Sequence, residues 1–233
     1  MRTLGIDLSS MPKGTSACCI TWEPDRAVAA PPVSGCTDES LDTLIGEADA
    51  IGIDAPLGWP AAFAKAVAAW TLAKWDDKVR DQLRFRETDL YVRKPPFGLS
   101  PLSVSTDRIA PPAMRAMALL RRHAVTDRSG GGRFFEVYPA GSLKVWKLPS
   151  TGYKDAKEDL AARQKILRSL RGQLPWLEVP ADYAATSDNL DSLVASLTVR
   201  AASQGQTHRP TDKLLPFARE EGWIHLPKAL PTL

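Results

Sequence analysis

A chain of 233 residues, 44% hydrophobic and 24% charged, is long enough for one large domain, or one domain with an insertion, and is ordinary for a soluble globular protein. No run approaches the roughly 20 apolar residues of a membrane span. The N-terminus leads straight into a strand, and Cys18, Cys19 and Cys36 lack metal-ligand spacing, so a reducing, cytoplasmic setting is the expectation. The net charge of +3 is uneven: residues 1–73 balance at −5, residues 74–133 at +6 and residues 134–233 at +2. A basic middle beside an acidic start suits an anionic partner held near acids, or simply a solvated helical surface.

In chain order, residues 2–8 read as a strand, 11–14 as a turn and 15–22 as a second strand rich in β-branched and aromatic residues. Glu23-Pro24-Asp25 is a tight turn. Residues 26–33 read as a third strand, put at a sheet edge by Pro31 and Pro32. Thr37 can cap a helix whose apolar face is Leu41, Leu44 and Ile45. Residues 50–54 form a fourth strand, ended by Pro56, Gly58 and Pro60, so the order is βββαβ. Residues 60–84 read as helical, with Phe63, Val67 and Trp70 as a core stripe. Residues 85–112 read as an irregular loop, of a length that is usually functional or mobile. Residues 113–125 read as a helix carrying Arg115, Arg121 and Arg122. Residues 129–132 read as a flexible joint and 133–138 as a fifth strand, closed by Pro139 and Gly141. Residues 155–171 and 187–203 read as helices, the second largely apolar, and 223–226 as a short late strand. The seven tryptophans are expected in the core or at interfaces.

The acids stand out against this frame. Leu4-Gly5-Ile6 runs into Asp7, and Ala50-Ile51-Gly52-Ile53 runs into Asp54. Parallel strands ending in Asp at one sheet edge put two carboxylates side by side, where open α/β sheets bind ligands. A carboxylate at the end of a buried strand is costly unless it is paired or binds a cation. Asp188 and Asp191 share one face at the start of the last long helix; each could also serve the helix terminus as cap or dipole partner. Glu136 sits within the fifth strand, facing away from Phe135 and Val137, either exposed or at the site. Three or four carboxylates without His or Cys suit a hard cation, Mg²⁺ first and Mn²⁺ next. Two such ions could drive phosphodiester hydrolysis. His123, His208 and His225 are scattered, no G-x-S-x-G or GxxxxGK[ST] motif is present, and Gly130–Gly132 lacks the order of a phosphate loop.

This order, with Asp on the first and fourth strands and acids opening a late helix, resembles the ribonuclease H-like fold, and Asp188-x-x-Asp191 is similar to RuvC-type resolvases. GIDLSS, IGIDAPLGWP, RETDLYVRK, FFEVYPAGS and SDNLDSLVASLTVRA together resemble the family catalogued as domain of unknown function 429, for which a ribonuclease H-like nuclease activity is predicted. The resemblance implies an α/β domain over residues 1–233: a mixed five-stranded sheet, three antiparallel strands then parallel ones, with helices on both faces and a basic, mostly helical insertion at about 60–131. It implies Mg²⁺ or Mn²⁺ on Asp7, Asp54, Asp188 and Asp191, with Glu136 and the Arg86/Asp89 pair second to them. Asn189 stands where a further acid is expected. Arg80, Arg84, Arg86, Arg93, Lys94 and Arg115 would hold a DNA or RNA backbone. The rival readings are an Mg²⁺-dependent enzyme acting on a small phosphorylated molecule or nucleotide, and a non-catalytic module binding nucleic acid or a partner.

Overall fold

A computed structural model describes residues 1–154 and 160–233. Strands β1 (Arg2–Asp7), β2 (Ser16–Trp22), β3 (Ala27–Ala29) and β4 (Val33–Ser34) are followed by α1 (Asp38–Gly46) and β5 (Ala50–Asp54). Four helices come next: α2 (Ala61–Ala69), α3 (Asp77–Arg84), α4 (Glu87–Arg93) and α5 (Ala110–Arg122). The chain then forms β6 (Phe134–Glu136), α6 (Pro139–Val145), α7 (Leu160–Gln173), β7 (Leu177–Glu178), α8 (Ser187–Ser203) and α9 (Leu215–Glu221).

The sheet has the order β6-β5-β1-β2-β3-β7, with β4 added to β2. β1 is antiparallel to β2 and parallel to β5, and β5 is parallel to β6. The β6-β5-β1-β2-β3 core, with helices on both faces, is the ribonuclease H-like α/β arrangement that the sequence implies. On one face, Leu4, Ile6, Ile51 and Ile53 pack with Leu41 and Ile45 of α1 and Ala116, Leu119 and Leu120 of α5. The other face carries α8. Residues alternate faces along a strand, so Thr3, Gly5 and Asp7 of β1 point to the α8 side with Gly52 and Asp54 of β5. A Cβ on Gly5 would collide with the backbone of Ser192 and Ser196, and one on Gly52 would lie 2.9 Å from the Ala195 carbonyl. Helix and sheet therefore touch backbone to backbone. Thr3 Oγ1 and Ser196 Oγ, 2.8 Å apart, add a buried hydrogen bond across that contact.

Several elements differ from the expectation. The sheet has seven strands instead of five. The expected third strand is two pieces, β3 and β4, because Pro31 and Pro32 have no N–H to continue the ladder. The expected helix over 60–84 breaks at Trp70, which is left-handed at φ 49°. Its stripe is not core: Phe63 is half-buried, Val67 is 48% and Trp70 88% exposed. Helical spacing shows that residues share a face, and nothing in it says what covers that face. The loop over 85–112 contains α4, and α5 begins at Ala110 with Pro111 and Pro112 in its first turn, where no backbone N–H is needed. Within the expected joint over 129–132, Ser129 is buried and Gly130, at φ +82°, is packed so that a Cβ there would collide with the buried ring of His225, while Gly131 and Gly132 are exposed. Residues 223–226 make one bridge, Glu136 to Ile224, and no strand. The first five residues of the expected 155–171 helix lie outside the described residues. Among the described residues, no helix is long and apolar enough to cross a membrane.

Candidate active site

Asp7 and Asp54 are direct register partners at the ends of neighbouring parallel strands. Both are half-buried, and among the described residues neither carboxylate receives a hydrogen bond. Asp191 lies above them, 1% exposed, on the first turns of α8. The start of that helix is fixed to the sheet through Asn189, whose Oδ1 accepts from Ser16 Oγ and Ser34 Oγ, both at 2.8 Å. The residue at the expected extra acid is thus an anchor. Thr186 caps the helix by accepting from Asn189 N–H at 3.1 Å. Asp188 is half-buried in the first turn.

The electrostatics follow from this convergence. Burial, then the charges of Asp191 and Asp54, hold the Asp7 carboxyl well above the usual carboxylate range, and Asp188 adds to the same push. Burial, with Asp191 and Glu136 nearby, raises Asp54 to about 7. Among the described residues, Lys154 answers these acids. Lys154 Nζ lies 2.6 Å from Asp191 Oδ2, and Tyr153 Oη donates to Asp191 Oδ1 at 2.7 Å. Burial works against the Lys154 ammonium, but Asp191, Asp54 and Asp7 together hold it charged to higher pH than a free lysine. Its side chain is 51% exposed, so it reaches the acids from the solvent side. Among the described residues no group of three or more His, Cys, Asp or Glu is arranged so that it could hold a metal ion. The donor types nonetheless fit a hard cation: all are carboxylates, and two have no other partner. What the arrangement lacks is the free oxygen of Asp191 that Lys154 covers. Asp7 and Asp54 line a cavity of about 340 Å³ together with Glu136, Arg86, Tyr138, Arg108 and Lys154.

The chain matches the model of the family described as "Protein of unknown function (DUF429)" over residues 5–214. It belongs to that family. A search of the curated proteins finds no match.

In this DUF429 chain Glu136 borders the same cavity, but its carboxylate is committed to Arg86. It faces the other side of the sheet, in register with Ile53, and is 3% exposed. Arg86 Nη2 donates to its Oε1 and Arg86 Nη1 to its Oε2, both at 2.7 Å, and Leu57 N–H adds a bond at 3.0 Å. Arg86 also grips Asp89 through Nη2 at 2.9 Å and Nε at 3.1 Å. The Arg86/Asp89 pair is therefore the partner of Glu136, and Arg86, 2% exposed, is not available to a nucleic acid. Burial opposes its charge, but two flanking carboxylates outweigh that and hold it protonated. Gly222 closes the cluster: at φ +88° it lies where a Cβ would be 2.6 Å from Glu136 Oε2.

Arg115 is also spoken for. It donates to Asp38 at 2.8 Å, Thr15 Oγ1 at 2.7 Å, and the carbonyls of Ser9 and Cys36 at 2.9 Å, which ties the loop after Asp7 to α1. Its position on a basic helix looked like surface, but it points into the seam. Arg80 is exposed and paired with Asp77 and Asp81. Arg84, Arg93 and Lys94 are exposed, and among the described residues none has a carboxylate partner. Sequence reading missed Tyr153 and Lys154, which lie 37 or more residues from every acid they serve and carry no local motif.

Proposed function

We propose that this chain hydrolyses phosphodiester bonds of nucleic acid with a divalent ion, Mg²⁺ or Mn²⁺, held by Asp7, Asp54 and Asp191, with Asp188 contributing charge beside them. The observation that carries the reading is the pair of carboxylates on neighbouring strand ends that receive no hydrogen bond among the described residues, with a third acid beside them and a lysine as the counter-charge that touches it. A bound divalent ion would supply a Lewis acid for the phosphoryl oxygen and activate the attacking water. The chain's own residues set the rest. β1 and β5 fix the spacing of Asp7 and Asp54, Asn189 fixes where α8 begins, and Tyr153 orients the Asp191 carboxylate. Lys154, swung from Asp191 toward solvent, frees the third ligand and leaves an ammonium beside the cavity for a phosphate. Arg108, also lining the cavity, adds a second cation there.

The test is direct. Mn²⁺ binding read by electron paramagnetic resonance, and cleavage of a labelled single-stranded oligonucleotide, should both be present in the parent and absent in Asp7→Asn. A parent that neither binds Mn²⁺ at millimolar concentration nor cleaves DNA or RNA overturns the reading.

A further inference from the structure

Arg84 ends α3 and Arg93 ends α4, and both guanidinium groups lie over one ring, that of Phe85, at 4.9 and 4.3 Å from its centroid. Cation–π attraction holds each of them in place. It does not remove the repulsion between two like charges gathered at a single side chain. Neither arginine has a carboxylate partner among the described residues, whereas Arg80 on the same helix has two. The pair opens onto a groove of about 420 Å³ whose far wall holds Ser105 and Thr106. Ser103 Oγ donates to the Arg84 carbonyl at 2.7 Å and so ties that wall to the end of α3. The groove adjoins the acid cleft, since Ser100, Pro101 and Leu102 line both.

Two planar guanidinium groups that line one groove, without a carboxylate partner among the described residues, match the oxygens of a phosphate. The shared segment puts the two arginines beside the path of a strand whose diester lies at the acids.

We propose that Arg84 and Arg93 form a second phosphate subsite, one that takes the backbone of a single nucleic-acid strand beside the diester in the acid cleft. The substrate is then an oligonucleotide long enough to reach both, and not a mononucleotide or a small phosphorylated molecule. This rests on the reading of the acid cleft as a phosphodiesterase.

The experiment measures binding of fluorescent single-stranded DNA and RNA ten-mers by anisotropy, without divalent ions, from 50 to 300 mM salt, beside a dinucleotide. The expected result is ten-mer binding at least tenfold tighter than dinucleotide binding. In Arg84→Gln/Arg93→Gln the ten-mer advantage should fall by tenfold or more, and the slope of log K against log salt should flatten by about 0.7 to 1.4, the value for one or two lost phosphate contacts. Arg84→Lys/Arg93→Lys should keep most of the slope. Arg2→Gln/Arg26→Gln, which removes the same charge at the opposite sheet edge, should change neither. Thermal melting checks that each variant is folded. An unchanged ten-mer affinity and slope in the glutamine variant overturns the subsite, as does equal loss in the Arg2/Arg26 variant. The two readings separate in the parent. Ten-mer binding without Mn²⁺-dependent cleavage overturns the hydrolase and leaves the subsite. Mn²⁺-dependent cleavage of bis(4-nitrophenyl) phosphate with no preference for the ten-mer overturns the subsite and leaves the hydrolase.

Discussion

Two groups of buried or half-buried acids flank the same end of β5, and they are built on opposite principles. Around Glu136 and Asp89, Arg86 supplies a fork of donors that fills both carboxylates, and backbone N–H groups complete the set. Around Asp7, Asp54 and Asp191 the acids face one another, and a half-exposed lysine touches one of them. The first cluster is complete without anything from outside and holds α4 and the segment around Gly222 to the sheet. The second is incomplete: burial raises Asp7 and Asp54, and their neighbouring acids raise them further, whereas Glu136, also raised by burial, is pulled back by Arg86. A carboxylate's presence in a buried place says little about chemistry; whether the chain itself answers its charge says much more.

The comparison breaks most visibly on stability. Arg86→Met leaves two buried carboxylates without a counter-charge and should cost about 3–5 kcal/mol, seen as a large fall in urea midpoint, while Asp54→Asn should cost nothing or stabilise the metal-free protein. Equal losses in the two variants would erase the distinction. Metal linkage comes next. At one hundred times Kd, Mn²⁺ should stabilise the parent by about 2.7 kcal/mol, and Asp7→Asn should show no rise in Tm. Glu136→Gln, if it folds, should keep that rise.

The pH response sharpens the contrast. The folded chain binds a proton at Asp54 between its ordinary carboxyl value and about 7. The stability of the metal-free protein therefore falls as pH rises through about 4 to 7 and levels off above that. Solvent reaching this half-buried group screens part of the ~1.4 kcal/mol per unit, leaving about 1–2 kcal/mol across the window. Urea denaturation at several pH values should show the parent losing stability relative to Asp54→Asn by that amount. Lys154→Met should tighten Mn²⁺ binding about tenfold, or ~1.4 kcal/mol, and lower the stability of the metal-free form; weaker binding would mean that Lys154 supports the ion instead of competing with it. The smallest effect belongs to Asp188→Asn. Thr186 already caps α8, so stability should change by less than about 0.5 kcal/mol and Mn²⁺ affinity by a few-fold.

Much of this site was legible in the sequence because its parts are local. Asp7 and Asp54 end short apolar runs, and Asp191 opens an apolar helix whose bounds, Ser187–Ser203, are those that periodicity indicates. The partners were not legible. Glu136 meets Arg86 across 50 residues, and an arginine ahead of an amphipathic helix reads as surface until the sheet is assembled. The same holds for Arg115, and in reverse for Trp70 and Trp75, which share a pattern with core residues and lie in the open. Short pieces such as β7 were missed because two residues carry no periodicity; their pairing is decided by β3 next to them.

The backbone contact of α8 with Gly5 and Gly52 has a consequence for how the protein can vary. Where helix and sheet are separated by side chains, a larger or smaller residue shifts the gap and a neighbour compensates. At Gly5 and Gly52 the helix backbone meets the strands directly, so the height of Asp191 above Asp7 and Asp54 is set there by the thickness of the main chain. The surrounding core can exchange Leu, Ile and Val without moving the acids. A single methyl at position 5 has nowhere to go, and would lift the whole helix start away from the strand ends. The calibration of the site is thus stored in the two residues that have no side chain at all.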